Sequence, residues 1–146
     1  MRNVLIIGGN SDIGKSLVKY YLDRDCNVVV GYHKNIDCCD SRVKYIKCDV
    51  CNSDSIENII KCMISMYGNI DVMVNLACVC MDSDFLDKSK YEFMRVLEVN
   101  LVGTFLCNQI YCKYIDKNKM KIVIAPYNKQ TLPWLNIKDW IDLGDK

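Results

Sequence analysis

The stretch that decides the fold is Val4-Leu5-Ile6-Ile7-Gly8-Gly9-Asn10-Ser11-Asp12-Ile13-Gly14. Its first four residues are apolar, as expected of a strand that is buried on both faces. Gly8 lets the chain turn sharply where this strand ends, and Gly14 lets a helix start close to the sheet. Apolar residues then recur at helical spacing over 13–22. The stretch predicts a strand, a tight turn and a helix in succession.

The remaining chain alternates between short apolar runs and helical periods. Helices are predicted from Ser53 or Asp54 to 67, where Gly68 ends the helix, and over a long stretch at 89–114. Strands that alternate with helices form parallel β-α-β units with right-handed crossovers. We predict an α/β fold, a Rossmann-like doubly wound parallel sheet of about five strands in the order 3-2-1-4-5. The four strands after the first are predicted at 28–30, 43–48, 72–74 and 122–124.

The glycine-rich turn predicts a binding site for a phosphate group. A helix presents backbone N–H groups without partners in its first turn, and the helix dipole favours an anion there. The side chains of Asn10 and Ser11 can add hydrogen bonds, and the carboxylate of Asp12 can cap the helix. Glycine also occurs in such turns for structural reasons alone, but the position between a strand and a helix favours a dinucleotide.

Four motifs, in order along the chain, resemble those of short-chain dehydrogenases/reductases. The turn at 7–14 is similar to the family's Thr-Gly-x-x-x-Gly-x-Gly sequence, and Cys48-Asp49-Val50 is similar to the step after its third strand. Residues 71–78 resemble the strand that ends in Asn-Asn-Ala-Gly, and residues 91–105 resemble the long helix with the family's catalytic Asn. The match covers residues 3 to about 124, and the overall look is closest to ketoacyl-acyl-carrier-protein reductases.

The resemblance implies one catalytic residue and a set of cofactor-binding residues. Asn100 matches the catalytic asparagine, and Asp49 matches the family's contact to the adenine ring. Asp12 replaces the usual Gly or Ala and adds negative charge, while Leu76 and Cys78 replace Asn and Gly in the fourth-strand motif. Because Cys78 puts a side chain beside the cofactor cleft, we expect weaker binding of the nicotinamide half. The implied cofactor-binding residues are Gly8, Asn10, Ser11, Asp12, Ile13, Gly14, Asp49, Val50, Asn75 and Ala77.

The residues after the second strand favour NADP(H) over NAD(H). A carboxylate at the end of that strand would bind the ribose 2′-hydroxyl of NAD, but no acidic residue lies between 26 and 36. His33 and Lys34 stand there instead, and cations suit the 2′-phosphate of NADP. The alternative is that both side chains are solvated loop residues. We predict that His33 and Lys34 bind the 2′-phosphate.

The residues after the fifth strand lack the rest of the catalytic set that the resemblance implies. Ala125-Pro126-Tyr127 stands where the family's Ser is expected, and Trp140 and Gly144 stand near the positions of its Tyr and Lys. We predict a dinucleotide-binding domain over 1–125, a divergent tail over 126–146, and no counterpart of the family's last two strands. The family reaction is hydride transfer between NADP(H) and a carbonyl or alcohol substrate. That reaction is not expected of this chain alone.

Two other functions fit the same sequence. One is a non-catalytic nucleotide-binding module that works through a partner. The other is an interaction module that forms homo-oligomers through the long helix 89–114, since the helix loses part of its usual cover around Leu97, Leu101 and Phe105. Nucleotide titration separates the first from the second.

Composition and charge exclude several other classes. The 146 residues carry a net charge of +1 without a basic cluster, which gives no reason to expect nucleic acid. The apolar start is too short for a signal peptide and no stretch could span a membrane, so we expect a cytoplasmic protein without a membrane partner. The ten cysteines are expected to be reduced apolar residues. No metal is predicted, because a zinc site of Cys48 and Cys51 with Cys38, Cys39 or His33 lacks finger-like spacing.

Overall fold

The strands form one parallel sheet. The computed structural model describes residues 1–36 and 40–115, and the backbone of 122–124. The predicted tail over 126–146 lies outside the described residues. The strands are β1 (Asn3–Ile7), β2 (Asn27–Tyr32), β3 (Val43–Lys47), β4 (Val72–Asn75) and β5 (Ile122–Ile124).

The sheet has the topology that the sequence predicts. Four strands lie in the order β3-β2-β1-β4, and the short β5 pairs with the outer side of β4. Every pairing is parallel, so the carboxyl ends of the strands meet along one edge. The central strand β1 is completely buried because sheet and helices cover it on all sides. The Rossmann-like prediction is confirmed.

Helices follow β1, β3 and β4 and cover both faces of the sheet. They are α1 (Asp12–Leu22), α2 (Ser53–Tyr67), α3 (Lys90–Leu97) and α4 (Thr104–Tyr114), with a π-helical segment (Glu98–Gly103) that joins the last two. The long helix predicted at 89–114 is therefore present, but one segment of it is wound more widely than an α-helix. None of the described helices combines the length and apolar character that a membrane crossing requires.

The helix ends correct two details of the sequence analysis. Ser11, and not Asp12, caps α1, because its side chain accepts from the backbone N–H of Gly14. Asn52, and not Ser53 or Asp54, caps α2. Several residues that favour the cap position stand side by side at each start, so composition alone does not choose among them. Gly68 ends α2 with φ of 84°, as predicted.

Two apolar clusters hold these layers together. One lies between the sheet and α1, and it includes Ile6, Leu17 and Val30. The other lies between the sheet and the α2–α4 pair, and it includes Ile59 and Tyr111. The carboxyl edge of the sheet carries the connecting loops and the start of α1. Most of the predicted site residues lie there.

Candidate functional site

The glycine turn lies at the carboxyl end of the central strand. Gly8 adopts φ of 77°, a conformation that residues with a Cβ rarely take. The N–H groups of Gly8 and Gly9 donate to the carbonyl of Gly31 at 2.9 and 3.3 Å. A Cβ on Gly8 would lie 2.8 Å from the backbone nitrogen of Ala77. The turn is thus pressed between the ends of β2 and β4.

Gly14 brings the start of α1 against the same turn. A Cβ at this position would lie 2.4 Å from the carbonyl oxygen of Gly9. We expected Gly14 to allow close approach to the sheet. The nearest atoms belong instead to Gly9 inside the turn, so the residue closes the turn upon itself. Its amide is occupied, because it donates to the hydroxyl oxygen of Ser11 at 3.1 Å.

Two amides at the start of α1 remain available. Asp12 and Ile13 occupy the first two helical positions, where helix geometry provides no acceptor. Within the described residues, neither amide donates a hydrogen bond. Because the helix dipole places partial positive charge at this end, the two N–H groups form a site suited to an anion. The exposed carboxylate of Asp12 stands at the same helix end and opposes that anion.

The side chains of Asn10 and Ser11 are used inside the protein. The amide nitrogen of Asn10 donates to the carbonyl of Asn35 at 2.6 Å, which ties the glycine turn to the loop after β2. The Ser11 hydroxyl donates to the carbonyl of Gly8 at 3.1 Å. Both side chains shape the turn, and their predicted contacts with a phosphate remain predictions. His33 and Lys34 are exposed on the loop that Asn10 holds.

Asp49 follows β3 and is held by the start of α2. Its backbone N–H donates to the Ser55 hydroxyl at 3.0 Å, and its Oδ1 accepts from the N–H of Cys51 at 2.9 Å. The other carboxylate oxygen, Oδ2, lies 3.8 Å from Nε2 of His33. The carboxylate therefore has a fixed orientation and faces the end of β2.

Val50 and Gly103 bring the π-helical segment to the same edge. Val50 is buried, and a Cβ on Gly103 would lie 2.7 Å from its Cγ2 atom. Glycine is needed at 103 because the helix passes directly over the loop that carries Asp49. The sequence motif at 91–105 includes Gly103 but does not predict this role.

Asn75 and Asn100 organise the chain after β4. Asn75 is buried, and its side chain accepts from the N–H of Ala77 at 3.0 Å and donates to Thr104 at 3.3 Å. Asn100 accepts from the N–H of Val79 at 2.8 Å and donates to its carbonyl at 2.9 Å. Both ends of its side-chain amide thus bind the main chain of Val79. This contact lies inside the π-helical segment, and such segments are frequent at functional sites.

The structure brings all predicted positions to one edge of the sheet. They lie on four loops, in the first turn of α1, at the end of β4 and on the π-helical segment, although they are distant in sequence. Two further residues of the site are not among the predicted ones: Gly31, whose carbonyl anchors the turn, and Thr104, which links Asn75 to the long helix. Gly31 had a signal: an isolated glycine in a strand indicates close approach of another backbone.

The thiols near this edge are not activated. Burial raises the pKa of Cys48 to about 12, against a smaller opposing effect of its hydrogen bond with Ser55. Burial also raises the pKa of Cys51, although Arg95 lies nearby. Both groups stay protonated at neutral pH and are poor nucleophiles. Within residues 1–36 and 40–115, no group of three or more metal-ligating side chains is found. Cys38 and Cys39 lie outside those residues.

Comparisons with known proteins identify the family. The family model of short chain dehydrogenases matches residues 2–126. Secoisolariciresinol dehydrogenase of Forsythia intermedia is 32% identical over 112 residues, which are 70% of this chain and 40% of that protein. A 3-oxoacyl-[acyl-carrier-protein] reductase of Synechocystis is 28% identical over 130 residues, which are 82% of this chain and 53% of that protein.

A solved structure supports the same assignment. The crystal structure of a short chain dehydrogenase from Leptospira borgpetersenii with bound NAD⁺ is 30% identical and superposes with a TM-score of 0.70. The match covers 77% of this chain and 45% of that one. This chain spans about half the length of the curated relatives that it matches. It belongs to the short chain dehydrogenase family of NAD(P)-binding oxidoreductases.

Proposed function

We propose that this chain is a dinucleotide-binding unit that holds the pyrophosphate of NADP(H) at the start of α1. One observation carries the proposal: the amides of Asp12 and Ile13 stand at the first turn of a helix, beside the central strand, without an acceptor inside that helix. The proposed binding residues are those of the glycine turn, with Asp49 and Val50 after β3 and Asn75 and Ala77 after β4. They share one edge of the sheet.

The preference for NADP(H) rests on charge at the end of β2. His33 and Lys34 follow that strand and are exposed, so they can meet a 2′-phosphate without losing a buried contact. No carboxylate stands between 26 and 36 to bind a free 2′-hydroxyl. The Leptospira protein holds NAD⁺ in its own structure. Direct comparison of NADPH and NADH on this chain decides the preference.

The proposed family reaction is hydride transfer between NADP(H) and a carbonyl or alcohol substrate. The cofactor supplies this hydride chemistry when it is bound. We propose that these 146 residues do not catalyse it alone. The family resemblance implies two further catalytic residues. They are a tyrosine that exchanges a proton and a lysine four residues later. None of the nine tyrosines in the sequence is followed four residues later by a lysine. Asn100 is the proposed remnant of the catalytic set. We therefore expect no NADPH oxidation with carbonyl substrates.

The decisive experiment removes one amide of the proposed phosphate site. Asp12→Pro deletes the N–H at the first helical position, where proline is favoured and no helical hydrogen bond is lost. Ser11 already has the extended conformation that a following proline requires, with φ of −72° and ψ of 165°. Asp12→Ala is the matched control, since it removes the same carboxylate and keeps the amide. NADPH affinity is measured by fluorescence titration and calorimetry.

The two variants should differ although both lose the carboxylate. We expect Asp12→Ala to bind NADPH at least as tightly as the unmodified chain, because a negative charge near the phosphate is gone. Asp12→Pro should bind roughly tenfold more weakly than Asp12→Ala, as expected for one hydrogen bond to a charged group. Equal affinities would exclude the amide from the site. A lack of saturable NADPH binding by the unmodified chain would refute the proposed function.

We also propose that the chain associates with a second copy through the long helix. Leu101 and Phe105 are 64% and 57% exposed on its outer face, with Val102 beside them. Exposed apolar side chains that are contiguous mark interaction sites. Sedimentation equilibrium over a range of concentrations tests this association.

We place the protein in the cytoplasm. Of its ten cysteines, the eight in the described residues form no disulfide bond. Free thiols are typical of a reducing compartment. Oxidation state measured on protein from fractionated cells tests this location.

A further inference from the structure

The ends of β2 and β3 are linked by a contact between an imidazole and a carboxylate, which the proposed cofactor would have to disturb. His33 follows β2 and Asp49 follows β3, and Nε2 of His33 lies 3.8 Å from Oδ2 of Asp49. This distance is within ion-pair range but too long for a hydrogen bond. Both side chains are about half exposed, at 49% and 40%. Such a pair is weak, so a ligand can rearrange it at little cost.

Asp49 is oriented by its neighbours in the chain. Its Oδ1 accepts from the N–H of Cys51, and its own N–H donates to the hydroxyl of Ser55. Its Oδ2 faces the imidazole and is the carboxylate oxygen that points away from the contact with Cys51. A donor that binds this oxygen, such as the adenine amine of the proposed cofactor, must share or displace His33.

The loop that carries His33 is held in place by the glycine turn. Asn10 donates to the carbonyl of Asn35 at 2.6 Å, two residues beyond His33. The backbone at His33 is therefore held, and the Asp49 carboxylate is oriented by Cys51. The exposed imidazole is the part of this contact that can move. It stands between the proposed adenine contact and the proposed position of the 2′-phosphate.

We infer that His33 is a specificity-determining residue that acts in two directions. Without a 2′-phosphate, the imidazole stays on Oδ2 of Asp49 and competes with the adenine amine, which weakens binding of NADH. A 2′-phosphate draws the imidazole away, which frees Oδ2 for the adenine, and it accepts a charge-assisted hydrogen bond from the ring. The inference rests on the proposed function, and it assigns His33 a role that Lys34 does not share, because within the described residues the imidazole beside Asp49 is that of His33.

The test is a set of four variants titrated with NADPH and with NADH. They are His33→Gln, Asp49→Asn, the double variant, and Lys34→Gln as the matched control. His33→Gln should weaken NADPH roughly fivefold and strengthen NADH by about two- to threefold, the scale expected of exposed charge pairs. Lys34→Gln should weaken NADPH without strengthening NADH. In the Asp49→Asn background, His33→Gln should no longer strengthen NADH.

A second readout follows the imidazole directly. His33 is the only histidine in the sequence, so one proton NMR signal reports its surroundings. NADPH should shift this signal more than NADH, and Asp49→Asn should shift it in the free protein.

The outcomes separate this inference from the proposed function. If NADH binds no better to His33→Gln, or if the gain persists in the Asp49→Asn background, the competition does not exist, although the chain still binds dinucleotides. If the unmodified chain binds neither dinucleotide, the proposed function fails and the inference fails with it.

Discussion

The two faces of the helix over 90–114 carry similar side chains and serve different purposes. Its inner face places Cys107, Ile110 and Tyr111 in the apolar cluster beneath α2, where each is at most 5% exposed. Its outer face leaves Leu101 and Phe105 more than half exposed. The inner residues contribute to the stability of this chain, because they leave water on folding.

The difference shows what an apolar pattern on a helix does not determine. A stripe of apolar residues predicts that a face will be covered, without naming the segment that covers it. Here α2 covers the inner face. The outer face has no cover within the described residues, and we propose a second copy for it. Variants of each face should therefore affect different measurements.

The largest effect is expected on the inner face. Tyr111 is completely buried, and Tyr111→Ala should lower the free energy of unfolding by about 4 kcal/mol, since a large cavity replaces the ring. Urea unfolding followed by circular dichroism measures this change. Tyr111→Phe is the control: its hydroxyl donates to the carbonyl of Ile70 at only 3.4 Å, so its loss should cost about 1 kcal/mol or less. Equal costs for both variants would contradict the packing argument.

Alkaline pH sharpens the comparison, because the inner face contains buried thiols. Burial raises the pKa of Cys107 from 9.0 to about 12, and that of Cys48 to about the same value. Between pH 9.0 and about 12, the thiol of Cys107 has lost its proton in the unfolded chain and keeps it in the folded protein. The contribution of this buried thiol to folding stability is therefore complete below pH 9 and is lost as the pH rises towards 12.

This loss has a definite slope. Each buried thiol should lower the free energy of unfolding by about 1.4 kcal/mol per pH unit above its unfolded pKa. Cys107→Ala removes one of these contributions, so its stability should fall less steeply between pH 9 and 10.5 in a reducing buffer. Urea unfolding at several pH values measures the slope. Identical slopes for the variant and the unmodified chain would mean that Cys107 is hydrated in the folded protein.

The parts of the fold that could be predicted depend on residues that lie close together in the sequence. β1, β2 and β4 are short apolar runs, and such runs predict buried strands wherever they occur. Gly8 and Gly14 have requirements that arise within a few residues, from a positive φ and from contact with Gly9. The strand order follows from the alternation of strands and helices. These predictions need no knowledge of distant contacts.

The features that could not be predicted depend on contacts between distant segments. The π-helical segment accompanies the hydrogen bonds between Asn100 and Val79, which are 21 residues apart. Gly103 is required by Val50, which lies on the loop after β3. The contact between His33 and Asp49 exists because two strand ends meet at one edge of the sheet. In each case both residues are visible in the sequence, but no sequence pattern indicates that they are in contact.

The smallest effect on folding is expected on the outer face. Leu101→Gln and Phe105→Gln replace exposed side chains, so the free energy of unfolding of the monomer should change by about 0.5 kcal/mol or less. The same variants should abolish concentration-dependent association in sedimentation equilibrium, because they place polar groups where two copies would meet. Phe85→Gln is the control, since Phe85 is 90% exposed but lies before the helix. If Phe85→Gln disrupts association while Leu101→Gln does not, the loop and not the helix mediates contact between copies.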